Sequence, residues 1–232
     1  MSDPTLVEAG DAVRPGNPPM VERYRLGARI NHWTTAIAMV LLVLSGLAMF
    51  HPSLFFLSDI FGGGQNTRVL HPWFGIVLFV SFLVLFVQFW RANIWNRSDM
   101  SWIAHIGDLV GGHEERMPEV AKYNAGQKFV FWAMALLILA LLSSGIIIWD
   151  EYFSNLTTIE TQRIALLAHS ILAILAICVL ILHVYAGIWV RGSFDAMIKG
   201  SVTVGWAWRH HRKWFRQLVA EPTGGKARSR EK

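Results

Sequence analysis

Charge is scarce in this sequence. Of its 232 residues only 16% are Asp, Glu, Lys or Arg, and 53% are hydrophobic; an ordinary soluble domain carries about 25% charged residues. Cysteine is scarcer still, with Cys178 alone. One thiol excludes a disulfide scaffold, a cysteine-bound zinc site and an iron–sulfur cluster held by this chain by itself. No Cys-x-x-Cys-His segment occurs, so there is no c-type attachment site. Residues 1–20 lack the apolar run of a secretory signal and instead carry Asp3, Glu8 and Asp11 with Pro4, Pro15, Pro18 and Pro19. They predict a flexible tail.

What is present is apolar length. Four runs contain no charged residue: 30–50 after Arg29, 69–90 between Arg68 and Arg91, 129–149 between Lys128 and Asp150, and 164–190 between Arg163 and Arg191. Each reaches the ~20 residues that a helix needs to cross ~30 Å of hydrocarbon. The expected fold is therefore an all-α integral membrane protein, a bundle of four transmembrane helices. The stretch 53–61 is too short to cross and reads as a loop or an interfacial helix. Beyond the fourth span a short amphipathic helix is expected around 206–215. The predicted organisation is a tail over 1–20, one four-helix domain over 21–218 and a basic flexible tail over 219–232.

Orientation follows from where Lys and Arg fall. Segments 1–29, 91–128 and 191–232 carry four, five and ten of them, whereas 51–68 and 150–163 carry one each. The positive-inside rule assigns both termini and the middle connector to the cytoplasm, in a bacterial inner membrane. Trp33, Trp90, Trp149 and Trp189 fall near span ends, where amphipathic rings favour the headgroup layer. The first and third spans also echo each other, with Ser45-Gly46 matching Ser144-Gly145.

Histidine inside a membrane span is costly and marks function. Four of the nine lie within spans: His32, His71, His169 and His183. Counted from span midpoints, His32 and His183 come out ~12 Å and ~9 Å toward the cytoplasm, and His71 and His169 ~13 Å and ~12 Å toward the opposite side. His169 and His183 stand ~21 Å apart along one helix and within ~40° of one face. One helix thus supplies a member to each of two depth-matched pairs. His51, followed by Pro52, reads as an interfacial turn residue, and His105, His113, His210 and His211 as solvated surface groups.

Imidazole suits iron, copper and zinc. The spans hold no acid and only Cys178, which reads as a small apolar filler. Gly46, Gly75, Gly145 and Gly187 lie within or beside the two layers and would let a large flat ligand approach the backbone. Paired axial histidines on haem fit this pattern.

Several motifs now carry a resemblance: Arg29-Ile-Asn-His32-Trp33, Arg68-Val-Leu-His71-Pro72, Tyr123-Asn124-Ala-Gly126-Gln127-Lys128, and His169 with His183-Val-Tyr185. Over about 21–218 the chain resembles the cytochrome b (gamma) subunit of respiratory formate dehydrogenases, within the wider di-haem family that includes nickel–iron hydrogenase cytochromes. The resemblance implies a membrane anchor holding two haem b groups, with His71 and His169 on the periplasmic one and His32 and His183 on the cytoplasmic one. It implies partners, an iron–sulfur beta subunit and a molybdenum- or tungsten-containing alpha subunit, and delivery of electrons to quinone, with Asn124 in the quinone pocket. No catalytic acid or nucleophile is expected in this chain. The alternatives are a cytochrome b subunit of a nickel–iron hydrogenase or thiosulfate reductase and, in a different class, a haem-free transporter with histidine relays. Against the last, such proteins place carboxylates or broken helices at mid-membrane.

Overall fold

The computed structural model describes residues 11–153, 157–190 and 192–220. The described residues divide into two compact units, one over 26–90 and 126–193, the other over 11–25, 91–125 and 194–220. The region 21–218 contributes to both units.

The first unit is the bundle. Its helices are α1 (Leu26–Phe50), α2 (Gly64–Phe89), α5 (Ala125–Ile148) and α7 (Ile159–Trp189), all long and apolar enough to cross a membrane. Each begins four or five residues before the charge-free run that announced it. Hydrocarbon length limits the apolar run, while the helix continues as long as backbone hydrogen bonds can form. With 31 residues, α7 is ~46 Å long and outreaches the ~30 Å core. Thr158 starts it by accepting the Thr161 backbone N–H at 3.3 Å.

All four helices meet at mid-bundle. Ala38 and Met39 of α1, Leu78 of α2 and Ile138 of α5 are buried there, with Leu42, Phe82, Met134 and Leu180 packed around them. Outward-facing residues such as Ile37, Val77, Leu136, Ile171 and Leu182 are exposed. A helix apolar on every side belongs in lipid, because water would penalise that outer face. Cys178 is exposed too, so it faces outward and fills no core position. Segment 53–61 forms a 3-10 helix, Pro52–Phe61, capped by His51, whose Nδ1 accepts the Ser53 N–H at 3.2 Å. Gly62 and Gly63 turn the chain into α2 at φ 84° and 100°, where a side chain would strain the backbone.

The second unit corrects four expectations. Residues 11–20 are no tail. Ala12–Arg14 forms strand β1, and Met20–Glu22 forms β2 between β1 and β3 (Ser201–Thr203) in an antiparallel sheet. Val21 pairs Val13 on one side and Val202 on the other. This ties the segment before α1 to the segment after α7, which an even number of spans permits.

The connector carries α3 (Arg97–Ala104), opened by an Asn96–Asp99 capping box, and α4 (Ile106–Val110). A one-turn α6 (Asp150–Phe153) precedes α7, and α8 (Ser193–Lys199) precedes β3. The helix expected over 206–215 is two helices, α9 (Val204–His210) and α10 (Arg212–Ala220), because His211 leaves helical geometry at φ −141°. Val219 and Ala220 belong to α10, so the predicted tail over 219–232 begins in a helix; the rest of it, like 1–10, lies outside the described residues.

His211 is also not a solvated group. It is buried, with Nδ1 donating to the Ala121 carbonyl at 2.7 Å and Nε2 3.4 Å from Arg23 Nη2. Around it lie the buried Asp11–Lys122 ion pair at 2.7 Å, the Trp214 indole N–H donating to Asp11 at 2.9 Å, and Arg23 over the Trp206 and Trp214 rings. His210 is half-buried, its ring 5.2 Å from that of Trp206.

Candidate functional site

The bundle places the four span histidines in two pairs. The rings of His32 on α1 and His183 on α7 have centroids 6.1 Å apart. Those of His71 on α2 and His169 on α7 are 6.3 Å apart. Fourteen residues of α7 separate the two layers by ~21 Å. Depth arithmetic matches the same partners, because rise per residue is constant in a helix.

Each spacing is informative. Two imidazoles on opposite sides of one metal ion, bound at about 2.0–2.1 Å with about 1.15 Å from nitrogen to ring centre, would have centroids about 6.3–6.5 Å apart, close to both spacings. Among the described residues, no hydrogen bond joins the rings of either pair, and no third His, Cys, Asp or Glu completes a metal cluster with them. A donor set of two imidazoles and nothing more suits a metal whose other positions are filled by a cofactor's own ring. The residues fit haem.

The layer of His71 and His169 has a further shell. Ser45 Oγ lies 2.8 Å from His71 Nδ1 and 2.7 Å from the Leu41 carbonyl. On the other hairpin, Ser144 Oγ lies 2.9 Å from His169 Nδ1 and 2.8 Å from the Ala140 carbonyl. A carbonyl only accepts, so each hydroxyl proton goes to its carbonyl and each serine oxygen accepts Nδ1–H from the ring. The network thereby assigns the Nδ1–H tautomer and leaves Nε2 as the free ligand atom.

Adjacent glycines lie close to both rings. A Cβ at Gly46 would stand 3.4 Å from His71 Cε1, and one at Gly145 3.5 Å from His169 Cε1, so a methyl group there would be in van der Waals contact with either ring. At Gly75 and Gly187 a Cβ would meet nothing within 4 Å, so packing within the chain does not demand glycine there.

The layer of His32 and His183 is built differently. His32 Nδ1 is buried with no hydrogen-bond partner, and Trp33 stands edge-on to the ring at 5.8 Å. Asn31 Nδ2 donates to the Ser81 carbonyl at 2.9 Å, and Thr35 Oγ1 donates to Ser81 Oγ at 3.1 Å, joining α1 to α2 on either side of His32. Asn124 is half-buried, directly before α5. The sequence reading did not see Ser45 and Ser144 as partners of histidine. Their signal was the repeated Ser-Gly step, which registers only as an echo until the helices are placed side by side.

Fold and site define a class: a multi-pass membrane protein that stacks two imidazole pairs inside a four-helix bundle, a b-type cytochrome. The chain belongs to the prokaryotic cytochrome b561 family, which matches residues 23–200. It is accordingly a haem b protein of the membrane. It is 41% identical over 198 residues to the formate dehydrogenase cytochrome b556(fdo) subunit of Escherichia coli, covering 85% of this chain and 93% of that protein. The nitrate-inducible cytochrome b556(Fdn) subunit of formate dehydrogenase from the same organism is 39% identical over 199 residues, or 86% and 92% of the two chains. A formate dehydrogenase cytochrome b556 subunit of Haemophilus influenzae is 37% identical over 203 residues, or 88% and 85%.

Proposed function

We propose that this chain is the membrane-anchoring electron-transfer subunit of a formate dehydrogenase complex, holding two haem b groups and serving quinone. The observation that carries the reading is the pair of imidazole spacings, 6.1 and 6.3 Å, each of which would let two rings share one haem iron. In this reading His32 and His183 hold the cytoplasmic haem, and His71 and His169 the periplasmic one. Bound haem supplies one-electron chemistry in each layer. The chain's own work is to hold both groups at fixed depth, to exclude water with lipid-facing helices and to orient the ligand rings.

Formate oxidation belongs to partners, an iron–sulfur beta subunit and a molybdenum- or tungsten-containing alpha subunit. The short loops between α1 and α2 and between α5 and α7, poor in Lys and Arg, suit a donor on the periplasmic side. The basic termini suit the cytoplasmic one. Asn124 lines the quinone pocket in this reading, its amide able to donate to and accept from a quinone or a bridging water. The relatives matched over 85–88% of the chain, named for formate dehydrogenase, support this donor over hydrogenase or thiosulfate reductase.

The test is the native complex purified from membranes. Two haem b per chain, both reduced on adding formate and reoxidised by quinone, are the expected result. Colourless protein would overturn the reading, and haem that stays oxidised with formate would overturn the donor. Asn124→Ala is expected to leave both haems reducible while slowing reoxidation, and unchanged quinone turnover would remove Asn124 from the pocket.

A further inference from the structure

We infer that Ser45 and Ser144 are positioning residues for the cofactor of the His71–His169 layer, locking both ligand rings in one tautomer and lowering that haem's reduction potential. The inference rests on the haem reading above and adds residues to it.

Two independent hairpins build the same contact. In α1–α2 the serine precedes its histidine by 26 residues, in α5–α7 by 25, and the hydroxyl-to-Nδ1 distances are 2.8 and 2.9 Å. Each serine is buried, and each is itself fixed by donating to the carbonyl four residues back, at 2.7 and 2.8 Å. The oxygen has therefore spent its proton and can only accept from the ring. A glycine follows in both cases, and a Cβ there would already stand in contact with ring carbon Cε1, at 3.4 and 3.5 Å. Helix packing by itself needs none of this: a serine that merely satisfies its own helix could face any neighbour. Here both face a histidine, and at the atom opposite the one left for metal.

The consequence is electronic as well as geometric. An imidazole that donates its far N–H to an acceptor is a more basic ligand. A more basic ligand favours the oxidised metal, which carries more positive charge. His32 Nδ1 has no such acceptor, so its ring lacks the backing that His71 and His169 have. Two groups of identical chemistry in one bundle are thereby given different potentials, with the serine-backed one held lower. That order suits the layer that receives electrons first.

The test is a redox titration of the purified complex carrying Ser45→Ala, Ser144→Ala or both, followed in the α-band, with haem content measured alongside. Alanine removes only the hydroxyl. Expected are two haems retained, an upward shift of one component in each single variant, a larger shift of the same component in the double variant, and an unmoved second component. Ser45→Cys, nearly equal in size but a weaker acceptor, is expected to shift that component by a smaller amount in the same direction. Unchanged potentials in all variants would overturn the inference, as would equal shifts of both components. Loss of one haem from both single variants would overturn the tuning and leave a structural role. Failure of the haem reading is separate and visible earlier, in unsubstituted protein that contains no haem.

Discussion

Between the membrane helices the buried polar side chains are small hydroxyls, Ser45, Thr67, Ser81 and Ser144, each bonded to a carbonyl of its own helix or its N-terminal turn. Lys128, at the start of α5, is the exception. The unit of 11–25, 91–125 and 194–220 buries Arg23, Lys122, Asp99 and His211 outright, with the Asp11 carboxylate between Lys122 and Trp214. The difference reflects solvent. In lipid a side chain gains nothing by leaving its neighbours, and an unpaired charge has nowhere to go. Where water is near, long cationic side chains can be threaded inward, provided that a carboxylate, carbonyls and aromatic faces receive them. Apart from its histidines and Lys128, the bundle thus keeps its buried polarity to short hydroxyls satisfied within their own helix, whereas the other unit uses buried charge as structural glue.

Substitutions at the four span histidines should strike hardest. His71→Ala and His169→Ala are expected to abolish the same haem component, and His32→Ala and His183→Ala the other, in absorption spectra of the purified complex. Loss of a single component from both His32→Ala and His71→Ala would break the two-layer arrangement.

In the second unit the largest effect is expected from Asp11→Ala, which strands the buried Lys122 ammonium. Breaking one partner of a buried pair costs about 3–5 kcal/mol. Unfolding of the solubilised protein, followed by fluorescence of the buried tryptophans, measures it. Pairing Asp11→Ala with Lys122→Met should recover much of the loss, since the penalty lies in the unpaired charge. A single variant as stable as the parent would show that water reaches this cluster.

A pH dependence comes next. Burial, and then the Arg23 guanidinium, hold His211 well below its ordinary value near 6.5, and His210 and Lys122 act in the same direction, against the Ala121 carbonyl. The sign follows. Above about pH 6.5 the ring is neutral in folded and unfolded chains alike. Below it the unfolded chain takes up a proton that the folded chain refuses, so stability falls with pH by up to about 1.4 kcal/mol per unit until the folded group titrates. His211→Gln should flatten that slope of unfolding free energy between pH 6.5 and 5, and an unaltered slope would assign it elsewhere.

The smallest effect is expected at the surface. Glu119 faces Arg216 at 3.0 Å and Arg212 at 3.5 Å, all three partly exposed. Glu119→Ala should change stability by no more than about 1 kcal/mol, less in high salt. A larger loss would mean that this pair is less accessible to water than its exposure indicates.

The spans were legible because membrane insertion is a one-dimensional test. Apolar length and the absence of charge decide it, and neither depends on what a helix touches. Depth is legible for the same reason, so the arithmetic that matched His32 with His183 and His71 with His169 needed only 1.5 Å per residue. Rotation about each helix and the choice of neighbours are not in that arithmetic. Whether Ser45 faces His71 or lipid depends on how α1 packs on α2, and only the bundle settles it.

The second unit was harder, because its contacts join segments that are remote in sequence. Asp11 meets Lys122 and Trp214 across 111 and 203 residues, and His211 reaches Ala121 across 90. Three-residue strands and a helix broken at one histidine carry almost no local signal. So the sequence by itself determined the four membrane helices, the depth of each histidine and the bias of basic residues, since each follows from local composition or from helical rise. Tertiary structure alone decided which buried groups answer one another, the serines to the histidines and the N-terminal segment to the C-terminal helices, because hydrogen bonds and ion pairs depend on distances of a few ångströms that no residue's own neighbours in the chain specify.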